Sequence, residues 1–320
     1  MPLLPSAYHP PLFFRNGHLA TIYSGLVRRV PGHRYTRERL DLSDGDFLDL
    51  DWSHADSPGQ KAVILLHGLE GDAHRPYMTG SARLLNAHGF DICAVNFRGC
   101  SGEPNRLFRS YHSGATEDLD AVVRHVVEGK GYPEIFLKGF SLGGNLCLKY
   151  LGEGRRLPGQ LKSAVAVSVP CDLHSSLRQL LSAKNILYAR RFKRHLLGKL
   201  WIKYEQFPEH ISKADIGRVK NLKDFDDIYT SRAHGFADAL DYYRQCSSLQ
   251  FLPDITTPTL LINAQNDSFL GPECYPRKEA HGNPRLFLEM PRYGGHVGFF
   301  GLNNQYYTEK RAIKFLEEAR

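Results

Sequence analysis

The serine in Gly139-Phe140-Ser141-Leu142-Gly143 is the residue of this sequence best placed to act as a nucleophile. A serine hydroxyl does not attack a carbonyl unaided. It needs a base to take its proton and a carboxylate to orient that base. The spacing G-x-S-x-G is weak by itself, because 29 of the 320 residues are glycine. Its context is more selective: "EIFLKGF" before the serine reads as a buried strand and "LGGNLCLKY" after it as a helix. Such a strand-to-helix elbow forces the serine into a strained backbone conformation, which requires small neighbours two residues away on either side, here Gly139 and Gly143. The N–H groups opening the following helix favour negative charge above the hydroxyl.

The partners belong at the ends of later strands. "TLLINA" runs into "QNDSFL", which offers Asp267, and "RLFLEM" is followed by "PRYGGHVGF", which offers His296 among glycines that leave its ring accessible. Asp267 could also be a turn or helix-cap residue, and His296 a surface-loop histidine. The order serine, acid, histidine on successive late strands favours the catalytic set. An attacked carbonyl also needs two donors for its oxyanion. Those are expected from the backbone N–H groups of Leu142 and of Leu69 in "HGLEG", where Gly68 permits close approach. His67 in the same loop reads as structural, and His74 as a loop residue. No HExxH or Cys/His cluster, Walker loop or G-x-G-x-x-G spacing is present, so the expected chemistry uses no metal and no organic cofactor.

The elements that must position these residues alternate between strand and helix. "KAVILLHG", "FDICAVNFRG", "EIFLKGF" and "KSAVAVSVP" read as strands; "PYMTGSARLLNAHG", "TEDLDAVVRHVVEGKG" and "SLGGNLCLKYLG" read as helices. The alternation predicts an α/β fold with a mostly parallel sheet and helices on both faces, carrying its site at the carboxyl ends of the strands. "YTRERLDLSDGDFLDLDW" predicts an antiparallel hairpin turned at residues 43–46. A closing amphipathic helix is expected in "QYYTEKRAIKFLEEAR". After Pro170 the alternation stops until residue 257. We therefore expect residues 1–170 and 257–320 to build one core and residues 171–256 to form an inserted helical lid.

That insert is basic. Arg178 to Lys223 holds far more Lys and Arg than Asp and Glu, while the rest of the chain is near neutral, which can mean nucleic acid, anionic lipid or a solvated helix face. Leu177, Leu180, Leu181, Leu187, Tyr188, Phe192, Leu196, Leu200 and Trp201 recur at near-helical spacing among Arg190, Arg191, Lys193 and Arg194. This predicts an apolar face roofing the core, with anionic-lipid contact as the sharper alternative. Nucleic-acid recognition signatures are lacking. No run reaches the roughly 18 apolar residues of a membrane span. The first residues lack the basic and apolar regions of an export signal. Six scattered cysteines suit buried, reduced thiols, so a cytoplasmic location is expected.

The segments "LLHGLEGDAHRPYM", "VNFRGCSGEPNR", "YHSGATEDL", "GFSLGGNLCLKYLGE", "NAQNDSFL" and "GGHVGFF" together resemble the YheT-like branch of the α/β-hydrolase superfamily (AB hydrolase 4 family), whose relatives include eukaryotic membrane-anchored lipid hydrolases. The resemblance runs from about Phe13 through the last helix. It implies an α/β-hydrolase fold and a triad of Ser141, Asp267 and His296. Where that family often reads Asn-Pro-His-Leu-Gln-Thr, this chain has Asn16-Gly17-His18-Leu19-Ala20-Thr21. The expected activity is hydrolysis of a small acyl ester, short- to medium-chain or a monoacylglycerol. The alternatives are an acyltransferase or thioesterase using the same triad, or a binding protein on a hydrolase scaffold.

Overall fold

The computed structural model describes residues 3–56 and 59–318. Among these, nine strands form one sheet: β1 (Leu3–Leu4), β2 (Thr36–Asp41), β3 (Phe47–Ser53), β4 (Lys61–Leu66), β5 (Asp91–Asn96), β6 (Glu134–Phe140), β7 (Leu161–Val167), β8 (Thr259–Ile262) and β9 (Leu286–Glu289). Their spatial order is β1-β9-β8-β7-β6-β4-β5-β3-β2. β2 and β3 are the predicted antiparallel hairpin, β3 runs antiparallel to β5, and every other neighbouring pair is parallel. The chain leaves β4 for β5 on one side and returns to place β6 on the other. This reversal opens a crevice beyond the carboxyl ends of β4 and β6, where open α/β sheets bind ligands.

The central strands are apolar on both faces because helices cover both. In β4, Ile64 and Leu66 pack toward α3 (Thr116–Arg124), α4 (Leu142–Gly152) and α11 (Arg277–Gly282). Val63 and Leu65 pack toward α2 (Pro76–Asn86) and α12 (Tyr307–Glu318). The period-2 alternation of side chains thus divides one apolar run between two cores. Between β7 and β8 lie α5 (Leu173–Leu180), α6 (Ile186–Gln206), α7 (Lys213–Arg218), α8 (Leu222–Phe225), α9 (Ser231–His234) and α10 (Ala239–Cys246). They enclose a third apolar cluster that includes Leu177, Leu196, Leu200, Phe225 and Tyr243.

Several expectations need correction. Leu187 and Trp201 are 75% and 43% exposed, so they do not belong to the buried stripe of α6. The helix that opens at Thr116 loosens into a π-helical turn over His125–Gly129. A two-residue strand at the far edge, β1 on β9, is too short to leave a periodic signature. All six cysteines are free and buried, and no described helix is long and apolar enough to cross a membrane.

The N-terminal segment, with α1 (Gly17–Ile22), is strapped to the last helix by a buried ion pair. Arg28 Nη1 and Nη2 donate to the two carboxylate oxygens of Glu309 at 2.6 and 3.1 Å, and the guanidinium lies over the Tyr306 ring, 3.6 Å from its centroid. Both partners are buried, so removing one leaves a charge without compensation. Arg28→Ala is expected to lower the unfolding free energy by about 3–5 kcal/mol in a urea titration, with most of the loss recovered in Arg28→Met/Glu309→Leu. An Arg28→Ala protein as stable as the parent would contradict this role.

Candidate active site

Ser141 follows β6 directly and precedes the first residue of α4. Its backbone sits at φ 52°, ψ −118°, a left-handed conformation that strains any residue bearing a Cβ. The two glycines relieve the crowding this creates. A Cβ on Gly139 would run into the Gly143 carbonyl oxygen, and one on Gly143 would lie 2.5 Å from His67 O and 2.6 Å from Leu66 O. The Ser141 N–H is tied to Val167 O at 2.8 Å, which fixes the turn to β7.

The hydroxyl finds the expected neighbours. Ser141 Oγ lies 2.9 Å from His296 Nε2, and His296 Nδ1 lies 2.8 Å from Asp267 Oδ2. A carboxylate can only accept, so Nδ1 carries the proton and Nε2 faces the serine with its lone pair. Asp267 is buried, and its second oxygen accepts the Phe269 N–H at 2.9 Å. The Phe269 ring stacks on the imidazole with centroids 4.4 Å apart.

The histidine loop is held by segments the sequence reading did not connect to it. His296 N–H donates to Thr21 Oγ1 at 2.8 Å, and Thr21 in turn donates to Gly17 O in α1. Val297 N–H donates to Ser168 Oγ, and Gly295 N–H to Asn266 Oδ1. A Cβ on Gly295 would collide with Gly17 O, so the N-terminal helix and this loop touch backbone to backbone. The segment Asn16–Thr21 drew notice only as a departure from a family pattern. Its physical task is to support the imidazole's backbone.

Leu142, as the first residue of α4, has one of the N–H groups that a helix cannot pair internally. Leu69 N–H has no acceptor among the described residues. Both residues line the same cavity as Ser141, and a Cβ on Gly68 would lie 3.2 Å from Ser141 Cβ. Hydrogen bonds tie the Leu69 loop to its neighbours. Glu70, at φ 53°, donates its N–H to Tyr111 Oη and accepts from that hydroxyl at 2.7 Å and from Lys199 Nζ at 2.9 Å. Arg75 Nη2 holds the Glu70 carbonyl at 2.6 Å. His67 is buried with both ring nitrogens spent on backbone, Nδ1 on Gly68 O and Nε2 on Phe97 N–H. His74, exposed at the loop's end, takes no part.

The cavity above Ser141 encloses about 430 Å³, within the ordinary range for small-molecule sites. Its walls are largely apolar, with Leu173, Leu177, Phe192, Leu196 and Phe269 among them. Residues 61–301 match the model of the family described as alpha/beta hydrolase fold. The chain belongs to the α/β-hydrolase family. Within that family it is 37% identical to the "Putative esterase YheT" of Escherichia coli (strain K12), over 95% of this chain and 91% of that protein. It is 28% identical to the phospholipase ABHD3 of Mus musculus, over 93% and 74% respectively. Among solved structures it resembles the Pyrococcus furiosus esterase Pf2001 with a TM-score of 0.59 and 20% identity, over 91% of this chain and 97% of that one.

Burial pushes the His67 pKa down to about 3, against about 6.5 in an unfolded chain. Between those values the unfolded chain binds a proton that the folded chain refuses. The stability is therefore complete above about pH 6.5 and is lost as pH falls, by up to about 1.4 kcal/mol per pH unit for this group. Urea denaturation between pH 6.5 and 5 is expected to show this decline, and His67→Gln to make it shallower. An identical slope in that variant would mean the ring does not stay neutral.

Proposed function

We propose that the protein is a serine carboxylic-ester hydrolase, and the observation that carries this reading is the hydrogen-bonded chain from Ser141 through His296 to Asp267, in a cavity that Leu69 and Leu142 also line. In this reading Ser141 Oγ attacks an acyl carbonyl as its proton passes to His296 Nε2. The carbonyl oxygen gains negative charge against the N–H groups of Leu69 and Leu142, aided by the positive end of α4. Asp267 holds the ring in the required tautomer and stabilises the imidazolium. That imidazolium then protonates the leaving alcohol as the tetrahedral intermediate collapses to an acyl-enzyme. A water activated by His296 releases the acid. No step needs a metal or an organic cofactor.

Residues 171–256 serve as the lid in this account. The apolar side chains of α5 and α6 give a short- to medium-chain acyl group or a monoacylglycerol a place to leave water, at about 0.8 kcal/mol per buried methylene. Six unpaired thiols fit a cytoplasmic enzyme. Ser141→Ala is expected to reduce turnover of p-nitrophenyl butyrate by at least about a thousandfold while leaving the thermal unfolding curve in place. The assay contains water as the sole acceptor, so turnover by the parent protein separates a hydrolase from an acyltransferase. Retained activity in the variant would exclude the mechanism.

Peripheral contact with anionic lipid belongs to the same reading, and one observation favours it. Ile22 and Leu26 line the cavity while remaining about half exposed, and Phe13 in the same N-terminal segment and Leu187 at the start of α6 are more exposed still. His18 Nδ1 meets Tyr188 Oη at 3.2 Å, bringing α1 against α6, whose exposed Arg190 and Arg194 supply positive charge. Apolar side chains with basic neighbours suit a lipid interface. Sedimentation with vesicles containing phosphatidylserine is expected to be salt-sensitive and weakened in Phe13→Ser/Leu187→Ser. Absence of salt-sensitive binding would rule the contact out.

A further inference from the structure

Helix α6 carries Arg191, His195, Lys199 and Lys203 at intervals of four residues, and all four side chains line the cavity above Ser141. Residues four apart share a helix face, so the insert turns a basic stripe inward as well as an apolar one. The two halves of that stripe differ. Lys199 is neutralised by Glu70, and Lys203 donates to the carbonyl oxygens of Asn105 and Leu107. Among the described residues, Arg191 and His195 have no hydrogen-bond or ion-pair partner. Arg75, across the cavity on the loop after β4, holds Glu70 O and has only Asp72 near it, at 3.7 Å.

The carboxylates of the lining are already engaged. Glu70 is shared by Tyr111 and Lys199, Glu103 pairs with Arg39, and Asp226 accepts from Thr230 and Tyr243. What remains is Arg191 with no counter-charge, Arg75 with only Asp72 at 3.7 Å, and the His195 imidazole between turns of the same helix face, all partly withdrawn from water. Burial and the neighbouring Arg75 and Arg194 charges act against the Arg191 cation, and burial with Arg191, Arg194 and Arg75 outweighs Glu70 in lowering the His195 pKa. Like charges brought together in a cavity are relieved by an anion, and a guanidinium presents paired N–H donors that suit phosphate or carboxylate.

We propose that Arg191, with Arg75 and His195 beside it, forms a subsite for a phosphate or carboxylate group carried by the ligand of this cavity. Combined with the esterase reading on which it rests, this makes the preferred substrate an acyl ester bearing an anionic group. Arg75 fixes the Glu70 carbonyl, one residue from the Leu69 N–H, so the subsite borders the reaction centre.

Calorimetric titration of the full chain with octyl phosphate tests the subsite without any turnover. Binding is expected, with affinity falling roughly tenfold or more in Arg191→Gln and holding in Lys213→Gln, whose side chain is exposed on α7 and lies outside the cavity lining. A parallel titration with inorganic phosphate separates the two sources of the anion. Comparable binding assigns the subsite to a free ion, and binding of octyl phosphate alone assigns it to an anion attached to a chain. In a second arm, kcat/KM for 1-decanoylglycerol 3-phosphate is expected to exceed that for 1-decanoylglycerol, with the ratio falling toward one in Arg191→Gln. No binding of octyl phosphate, or equal affinity in Arg191→Gln, overturns the subsite. Octyl phosphate binding without turnover of either ester retains the subsite and removes the hydrolase reading.

Discussion

The hydrogen bond between Ser141 and His296 joins positions 155 residues apart in the chain, and most of the structure can be understood as what is needed to make it. A bond of 2.9 Å tolerates little displacement. The serine is fixed by a strained turn between a buried strand and a buried helix, and the strain is borne by packing rather than by the serine itself. Gly139 and Gly143 let strand, helix and the carbonyls of the β4 loop close to van der Waals contact. The histidine has no comparable element of its own. It sits on an irregular loop after β9, and three separate segments must hold that loop.

One of those segments links the two ends of the chain. Arg28 and Glu309 bind the N-terminal strap to α12, and a few residues earlier Thr21 supports the backbone of His296. Stability and site geometry therefore share a path. A change that frees the strap would loosen the histidine loop without touching the three polar side chains. The helices between β7 and β8 bear on the other half of the site through Lys199, which reaches from α6 to Glu70, the residue after Leu69. In this way α6 braces the loop proposed to hold the oxyanion, as well as lining the cavity.

Much of this was legible in the sequence where local pattern and tertiary demand coincide. The alternation of strand and helix, the hairpin and the elbow at Ser141 follow from apolar periodicity and glycine placement. Asp267 and His296 could be picked out because the topology puts functional loops after the late strands, and the structure brings both to the serine. The contacts of Thr21, Ser168 and Phe269 could not be read, since each depends on loops meeting across long sequence separations. The segment "RGCSGEPNR" also does structural work that local pattern does not reveal. In the fold Arg98 meets Asp44, Asp46 and Asp118, while Asn105 donates to Asp46, a buried polar knot that shapes the loop beside the cavity. The inward-facing basic residues of α6 could not be told from its exposed ones in the sequence. A helix packed between core and cavity has no single solvent face, so its polar residues need not point to water.

Covalent trapping addresses the central claim most directly. A fluorophosphonate reports whether one hydroxyl has been made nucleophilic, whatever the substrate. Peptide mass spectrometry after such labelling is predicted to find a single phosphonyl group on Ser141, and almost none when His296 is replaced by alanine. An unlabelled protein, or equal labelling in the His296→Ala variant, would contradict the account.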